Sequence, residues 1–144
     1  MSPSPASVTS CCNDPGPLSP STLIHGEFYA SNILIQETRE GRRICPVDWE
    51  MAAVGPGLID LAALSSGAWA ERERTEMAVA YHDVLLSEGG PRFPFEDLLP
   101  ALDDCRLHLA IRWLGWAPVW SPPPENAHDW LGEAIALSEK MRMR

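Results

Sequence analysis

The sequence predicts an α+β protein, mostly helical, in which a loop and a β-hairpin come first and helices make up the rest. Three observations predict it. The apolar runs Ile33-Leu34-Ile35 and Ile44 to Val47 flank a polar stretch with Gly41 near its middle, the pattern of a hairpin pairing roughly 33–38 with 42–47. Beyond Gly55-Pro56-Gly57, a strong break, apolar residues recur at helical spacing. Further Gly and Pro clusters, Gly89-Gly90-Pro91 and Ser121-Pro122-Pro123-Pro124, then divide the helical part into segments.

Taken in order, residues 1–20 hold five prolines and five serines, a composition that cannot pack and reads as a disordered tail. The character changes from Leu23, and residues 21–144 are expected to form one folded unit. Leu58 to Ser66 suits a short buried helix. Ala70 to Ser87 is amphipathic, with Met77, Tyr81, Val84 and Leu85 on one face. Phe95 to Leu114 places Leu98, Leu102, Cys105, Leu109 and Trp113 together, and Pro100 is tolerable there if it falls in the first turn. The triple proline reads as a rigid connector. Glu125 to about Met141 closes the chain as an amphipathic helix carrying Trp130, Leu131, Ala134, Ile135 and Leu137. There is no internal repeat.

Length and charge narrow the function. The chain has 144 residues, the size of one domain. A net charge of −9 argues against nucleic acid and against anionic membrane surfaces, both of which call for cations. No apolar run approaches the ~18 residues of a membrane span, and the N-terminus has no secretion signal, so the expected location is the cytoplasm. Cys11, Cys12, Cys45 and Cys105 make no CxxC pair, which argues against a disulfide framework and a structural zinc site.

The densest chemical signal runs from His25 to Asp60. Phosphoryl transfer needs a carboxylate to accept the proton of the attacking hydroxyl, and an amide oxygen with a second carboxylate to hold Mg²⁺ against nucleotide phosphates. Protein kinases place the base and the amide five residues apart in H-R-D-L-x-x-x-N. Glu27 and Asn32 have that spacing, His25 stands two before the acid, and Asp48 follows the hairpin. Singly, each has an ordinary reading: His25 a turn residue, Glu27 a surface acid, Asp48 a strand end, Asp60 a capping group. The spacing lifts the set above these. His25-x-Glu27 also matches the first half of a zinc deaminase signature, but the C-x-x-C half is missing.

This stretch resembles the catalytic core of the aminoglycoside phosphotransferase and choline kinase group, a kinase-like family. The resemblance rests on His25-Gly26-Glu27…Asn32, Val47-Asp48-Trp49-Glu50, Gly55-Pro56-Gly57 and Asp60-Leu61-Ala62, and it is firm over about residues 23–65. It implies the C-terminal lobe of a protein-kinase-like fold that uses Mg²⁺ with ATP or GTP to phosphorylate a hydroxyl of a small molecule. Glu27 would be the catalytic base with His25 organising its loop, Asn32 and Asp48 the metal ligands, and Asp60 a structural brace. One departure stands out: the family pattern has Asp where this chain has Glu27, a reach longer by ~1.5 Å, and misplacements of ~1 Å can cost 10²-fold.

Two further expectations follow. The resemblance implies an upstream nucleotide lobe with a phosphate-pairing strand lysine. The 24 residues before His25 hold no lysine, and the single lysine is Lys140. The chain is thus expected to be a truncated C-terminal lobe, completed by a separate N-terminal lobe or self-associating; the alternative is a non-catalytic remnant or small-molecule binding module. Trp113, Trp116 and Trp120, near Asp103, Asp104 and His108, would suit a cationic substrate, although core packing is the simpler role for such aromatics.

Overall fold

The computed structural model describes residues 21–119 and 127–144. The expected N-terminal tail, Trp120 and the proline connector lie outside the described residues. Within them the protein is α+β, with two small antiparallel sheets followed by four helices. Strand β1 (Ser21–Ile24) pairs with β4 (Ala53–Pro56), setting Ser21 opposite Pro56 and Ile24 opposite Ala53. Strand β2 (Ile33–Thr38) pairs with β3 (Gly41–Pro46). The first ladder brackets the second, so the loop and the hairpin both spring from the β1–β4 base.

The hairpin matches the sequence pattern to within one residue. The turn is Arg39-Glu40, and Gly41 already pairs with Thr38. Gly41 has φ +127, a conformation that side chains resist, and the Thr38 hydroxyl donates to the Gly41 carbonyl at 2.7 Å. The expected break at Gly55-Pro56-Gly57 needs correcting, because Gly55 and Pro56 belong to β4 and the chain turns only at Gly57. Pro56 ends a strand with one neighbour, where its missing N–H disrupts no second ladder.

Helix α1 (Leu58–Leu64) stops two residues before the expected Ser66. The Ser65 and Ser66 hydroxyls both donate to the Ala62 carbonyl, and Arg74 takes the carbonyls of Ser65 and Gly67, so the freed acceptors beyond the last turn are satisfied. Helix α2 (Glu71–Ser87) ends in a Schellman arrangement: Gly89 has φ +78, and the Gly90 N–H bonds the Leu85 carbonyl at 2.8 Å. Its buried stripe is Ala78 and His82, with Met77 and Tyr81 against the core; Val84, expected on that face, is exposed.

Helix α3 (Phe95–Trp116) buries Leu98, Leu102 and Leu109, with Cys105 and Trp113 partly covered. Burial, with a smaller push from Asp104, raises the Cys105 thiol to about 11, which keeps it protonated and inert. Pro100 is the sixth residue of the helix rather than part of the first turn. The N–H it lacks would have met the carbonyl of Glu96, whose residue is exposed, so water can serve that acceptor.

Helix α4 (Trp130–Arg142) starts later than the expected Glu125, and Asp129 caps it by accepting from the Gly132 N–H at 2.8 Å. Ala134 and Leu137 are its buried residues, whereas Leu131 and Ile135 are exposed. Ionic contacts fix α4 on α3. Arg106 reaches Glu133 at 2.6 Å, and Lys140 reaches the buried Asp103 at 2.7 Å, with Arg144 also on Asp103. Burial alone would raise the Glu133 carboxyl, but His128 and Arg106 outweigh it and hold the group below the usual carboxylate range. The core is the junction of these helices, with Leu58, Leu61, Ala62 and Ala63 of α1 packed on Leu98, Leu102 and Leu109 of α3. No helix among the described residues is long and apolar enough to cross a membrane.

Candidate active site

The loop between β1 and β2 is tied down from three directions. From below, the Asp60 carboxylate at the start of α1 accepts the backbone N–H of His25 at 2.7 Å and that of Gly26 at 2.9 Å. His25 itself is 2% exposed. Its Nδ1 accepts from the Glu27 N–H at 3.4 Å, which leaves Nε2 to carry the proton and donate to the Val47 carbonyl at 2.8 Å. Both ring nitrogens are therefore spent on joining the loop to the end of the hairpin, and Trp49 lies against the ring at 4.5 Å between centroids. From the far side, the Asn32 amide donates to the Glu27 carbonyl at 3.0 Å, and the Val47 N–H bonds the Asn32 carbonyl at 2.9 Å.

Gly26 makes this turn possible. Its φ is +84, and a Cβ there would lie 2.3 Å from the Met51 carbonyl oxygen. The main chains of the loop and of the 48–51 segment thus touch directly. Across that contact, Glu27, Asp48 and Glu50 can each offer a carboxylate oxygen within 4.8 Å of the others. Asp48 adopts φ +66 and is the only non-glycine with positive φ among the described residues. Such strain costs on the order of 1 kcal/mol and persists where surroundings impose it; here the residue so held belongs to the acidic cluster.

These donors suit a small hard cation. Mg²⁺ takes oxygen ligands at about 2.1 Å, so two of them lie at most about 4.2 Å apart, and it commonly keeps waters beside one or two carboxylates. Asp48 and Glu50 are exposed and can close that distance by side-chain rotation.

The third tie comes from α3. Arg112 places Nη1 3.2 Å from the Gly26 carbonyl and Nη2 3.1 Å from Oε1 of Glu27. The next residue, Trp113, donates from Nε1 to the Tyr29 hydroxyl at 2.5 Å and stacks on Trp130 at 5.8 Å and 14°. Burial pushes the Tyr29 phenol up, so it stays neutral.

A family model described as the phosphotransferase enzyme family (APH) matches residues 7–95. That is 89 of the 144 residues, and it includes the loop, the hairpin, the acidic cluster and Asp60. The chain belongs to the phosphotransferase enzyme family. No curated protein and no solved structure matches it. The family implies phosphotransferase activity in general, and its members generally use ATP and Mg²⁺.

Two residues of the site, Glu50 and Arg112, are given no role by the motif spacing. Glu50 was visible only as a letter of the Val47-Asp48-Trp49-Glu50 motif; its spacing of two from Asp48 was the available signal. Arg112 is 85 residues from Glu27, beyond the family match, and nothing local marks it. The tryptophans divide. Trp113 packs on Tyr29 and Trp130, Trp116 is 53% exposed, and the neighbouring Asp103 is engaged by Arg106, Lys140 and Arg144 rather than facing a ligand.

The brace makes a stability prediction. In Asp60→Ala the buried N–H groups of His25 and Gly26 lose their acceptors. Hydrogen bonds to charged groups are worth ~1.5–3 kcal/mol each, and orphaned donors keep their desolvation cost. A loss of about 3–6 kcal/mol is expected for the two bonds together, read as a lower urea midpoint at unchanged slope.

Proposed function

We propose that this protein is the catalytic-loop half of an ATP-dependent small-molecule kinase, with the architecture of a kinase-like C-terminal lobe across residues 21–144. The observation that carries the reading is the convergence of Glu27, Asp48 and Glu50 on a loop held by Asp60, His25 and Asn32, in a chain of this family. In this reading Glu27 accepts the proton of a substrate hydroxyl as its oxygen bonds the γ-phosphorus and the bond to the nucleotide diphosphate breaks. Asp48 and Asn32, joined by Glu50, would hold Mg²⁺, which would supply neutralisation of phosphate charge. His25 is a positioning residue, since its ring is enclosed, with one nitrogen bonded to Glu27 in the loop and the other to Val47 at the end of the hairpin. The acceptor is a small hydroxyl compound, and a cationic one suits the net charge of −9.

The phosphate clamp is proposed to come from an N-terminal lobe outside these 144 residues. Lys140, the single lysine, is held on Asp103 in the α3–α4 contact, remote in sequence from the loop. One observation favours the second reading, a binding module that keeps the fold: Glu27 where the family pattern has Asp. The test is phosphate transfer from Mg·ATP to an aminoglycoside and to choline, by the 144-residue chain alone and with a family nucleotide lobe added. No turnover is expected alone, because positioning and electrostatics supply nearly all of this catalysis. Turnover with the lobe, lost in Asp48→Ala, supports the kinase. Substrate binding without turnover in either case supports the module.

A further inference from the structure

The three acids of the cluster cannot all do the same thing. If each were equally free, a divalent cation would draw in all three carboxylates and leave no base. Mg²⁺ sites that work on phosphates use one or two carboxylates and complete the shell with water and phosphate oxygens. Something must hold one acid apart, and among the described residues a cation is placed on only one of them.

Arg112 contacts Glu27 and neither Asp48 nor Glu50. Its guanidinium grips two consecutive residues at once, the Gly26 carbonyl and the Glu27 carboxylate, so the carboxylate is fixed relative to its own main chain. The side chains of the pair are 26% and 21% exposed, partly withdrawn from the screening that weakens surface pairs. The support is firm: Leu109 and Ala110, just before Arg112 on α3, are fully buried, and Trp113 beside it bonds Tyr29. The longer Glu side chain, which in this position could swing further than Asp, ends on a fixed partner. Only Oε1 is bonded; Oε2 has no hydrogen-bond donor among the described residues.

We propose that Arg112 divides the labour of the acidic cluster: it withholds Glu27 from the metal, leaving Asp48 and Glu50 to bind it and Glu27 free to accept a proton. Arg112 is a positioning residue in this scheme, and the scheme rests on the metal site proposed above. It also accounts for how Glu can stand in the loop where Asp is the family pattern, since the added methylene is taken up by the tether.

Metal binding tests it without any need for turnover. Mn²⁺ is titrated into the 144-residue chain and free ion is followed by electron paramagnetic resonance. Asp48→Asn is expected to weaken binding at least tenfold, whereas Glu27→Gln changes it by no more than about threefold, because Glu27 is not a ligand while Arg112 holds it. Arg112→Met removes the tether, and Mn²⁺ is expected to bind about tenfold tighter, the order given by one lost positive charge and one gained carboxylate. Arg112→Lys keeps the charge without the fork and should fall between. In the double variant Arg112→Met with Glu27→Gln the gain should vanish.

Unchanged or weaker binding in Arg112→Met, with a normal thermal melt, overturns the proposal. So does a gain that survives in the double variant, since it would reflect charge repulsion alone. If Arg112→Met does not fold, the comparison of Glu27→Gln with Asp48→Asn decides: an equal loss in both makes Glu27 a ligand and overturns the proposal. Failure of the native chain to bind Mn²⁺ at millimolar concentration would instead remove the metal site itself, and the division of labour with it.

Discussion

Glu27→Gln is expected to lower phosphate transfer by about 10²- to 10⁴-fold, the usual share of a general base, when measured with the nucleotide lobe present. The amide keeps the size of the side chain and can still meet Arg112, but it cannot take a proton. Mn²⁺ binding should be nearly unaffected, which separates this variant from Asp48→Ala, where metal and turnover are lost together. Turnover at the native rate would remove Glu27 from the mechanism. Glu27→Asp completes the series. The shorter acid restores the family pattern but retreats ~1.5 Å from Arg112, and a displacement of that order can cost 10²-fold. Slower turnover in Glu27→Asp would show that the loop and Arg112 are fitted to the longer side chain, and faster turnover would show that they are not.

Gly26→Ala is expected to disturb the structure of the site and its metal binding together. Two costs combine. An alanine at φ +84 is strained by ~1 kcal/mol or more. Its Cβ would also sit 2.3 Å from the Met51 carbonyl oxygen, a backbone atom that cannot rotate away, so the loop or the 48–51 segment must move. Overpacking of this kind costs a further ~1–3 kcal/mol, giving about 2–4 kcal/mol in all. A calorimetric melt would read the stability loss. Mn²⁺ titration would read the second effect, since Asp48 and Glu50 ride on the segment that is displaced. A normal melt and normal metal binding in Gly26→Ala would contradict the described contact.

The particular residues show why part of this was legible in the sequence. The hairpin and the four helices are local features, written in the apolar runs Ile33–Ile35 and Ile44–Val47 on either side of a polar turn and in helical spacing closed by Gly89-Gly90. The acids were legible because each lies in a motif with its own spacing. The β1–β4 ladder was hidden for a physical reason. Its strands are short, one of them ends in Gly55-Pro56, and its stability comes from pairing across about 30 residues, which no local window records. The face of α2 was misjudged at Val84 because the helix is covered along one side only, through Ala78 and His82, and small or polar residues carry that contact. Arg112 was invisible altogether. An arginine on a helix ordinarily faces solvent, and only the folded chain brings it to Glu27.

The short ladder between Ser21–Ile24 and Ala53–Pro56 has a consequence for where this chain can change length. It closes a ring of residues 25–52 at its base, and Asp60 is bonded to the loop just inside that closure. The Arg39-Glu40 tip lies at the opposite end, exposed and beyond the last hairpin pair. Residues added at the tip lengthen only a surface turn, an entropic matter that grows slowly with length, and leave the acids where they are. One residue added between Glu50 and Ala53 does the reverse. It either slips the ladder, turning Ile24 from its buried side, or bulges the segment that carries Asp48 and Glu50. Natural or engineered insertions in this part of the chain should therefore collect at the hairpin tip and be absent between Glu50 and β4.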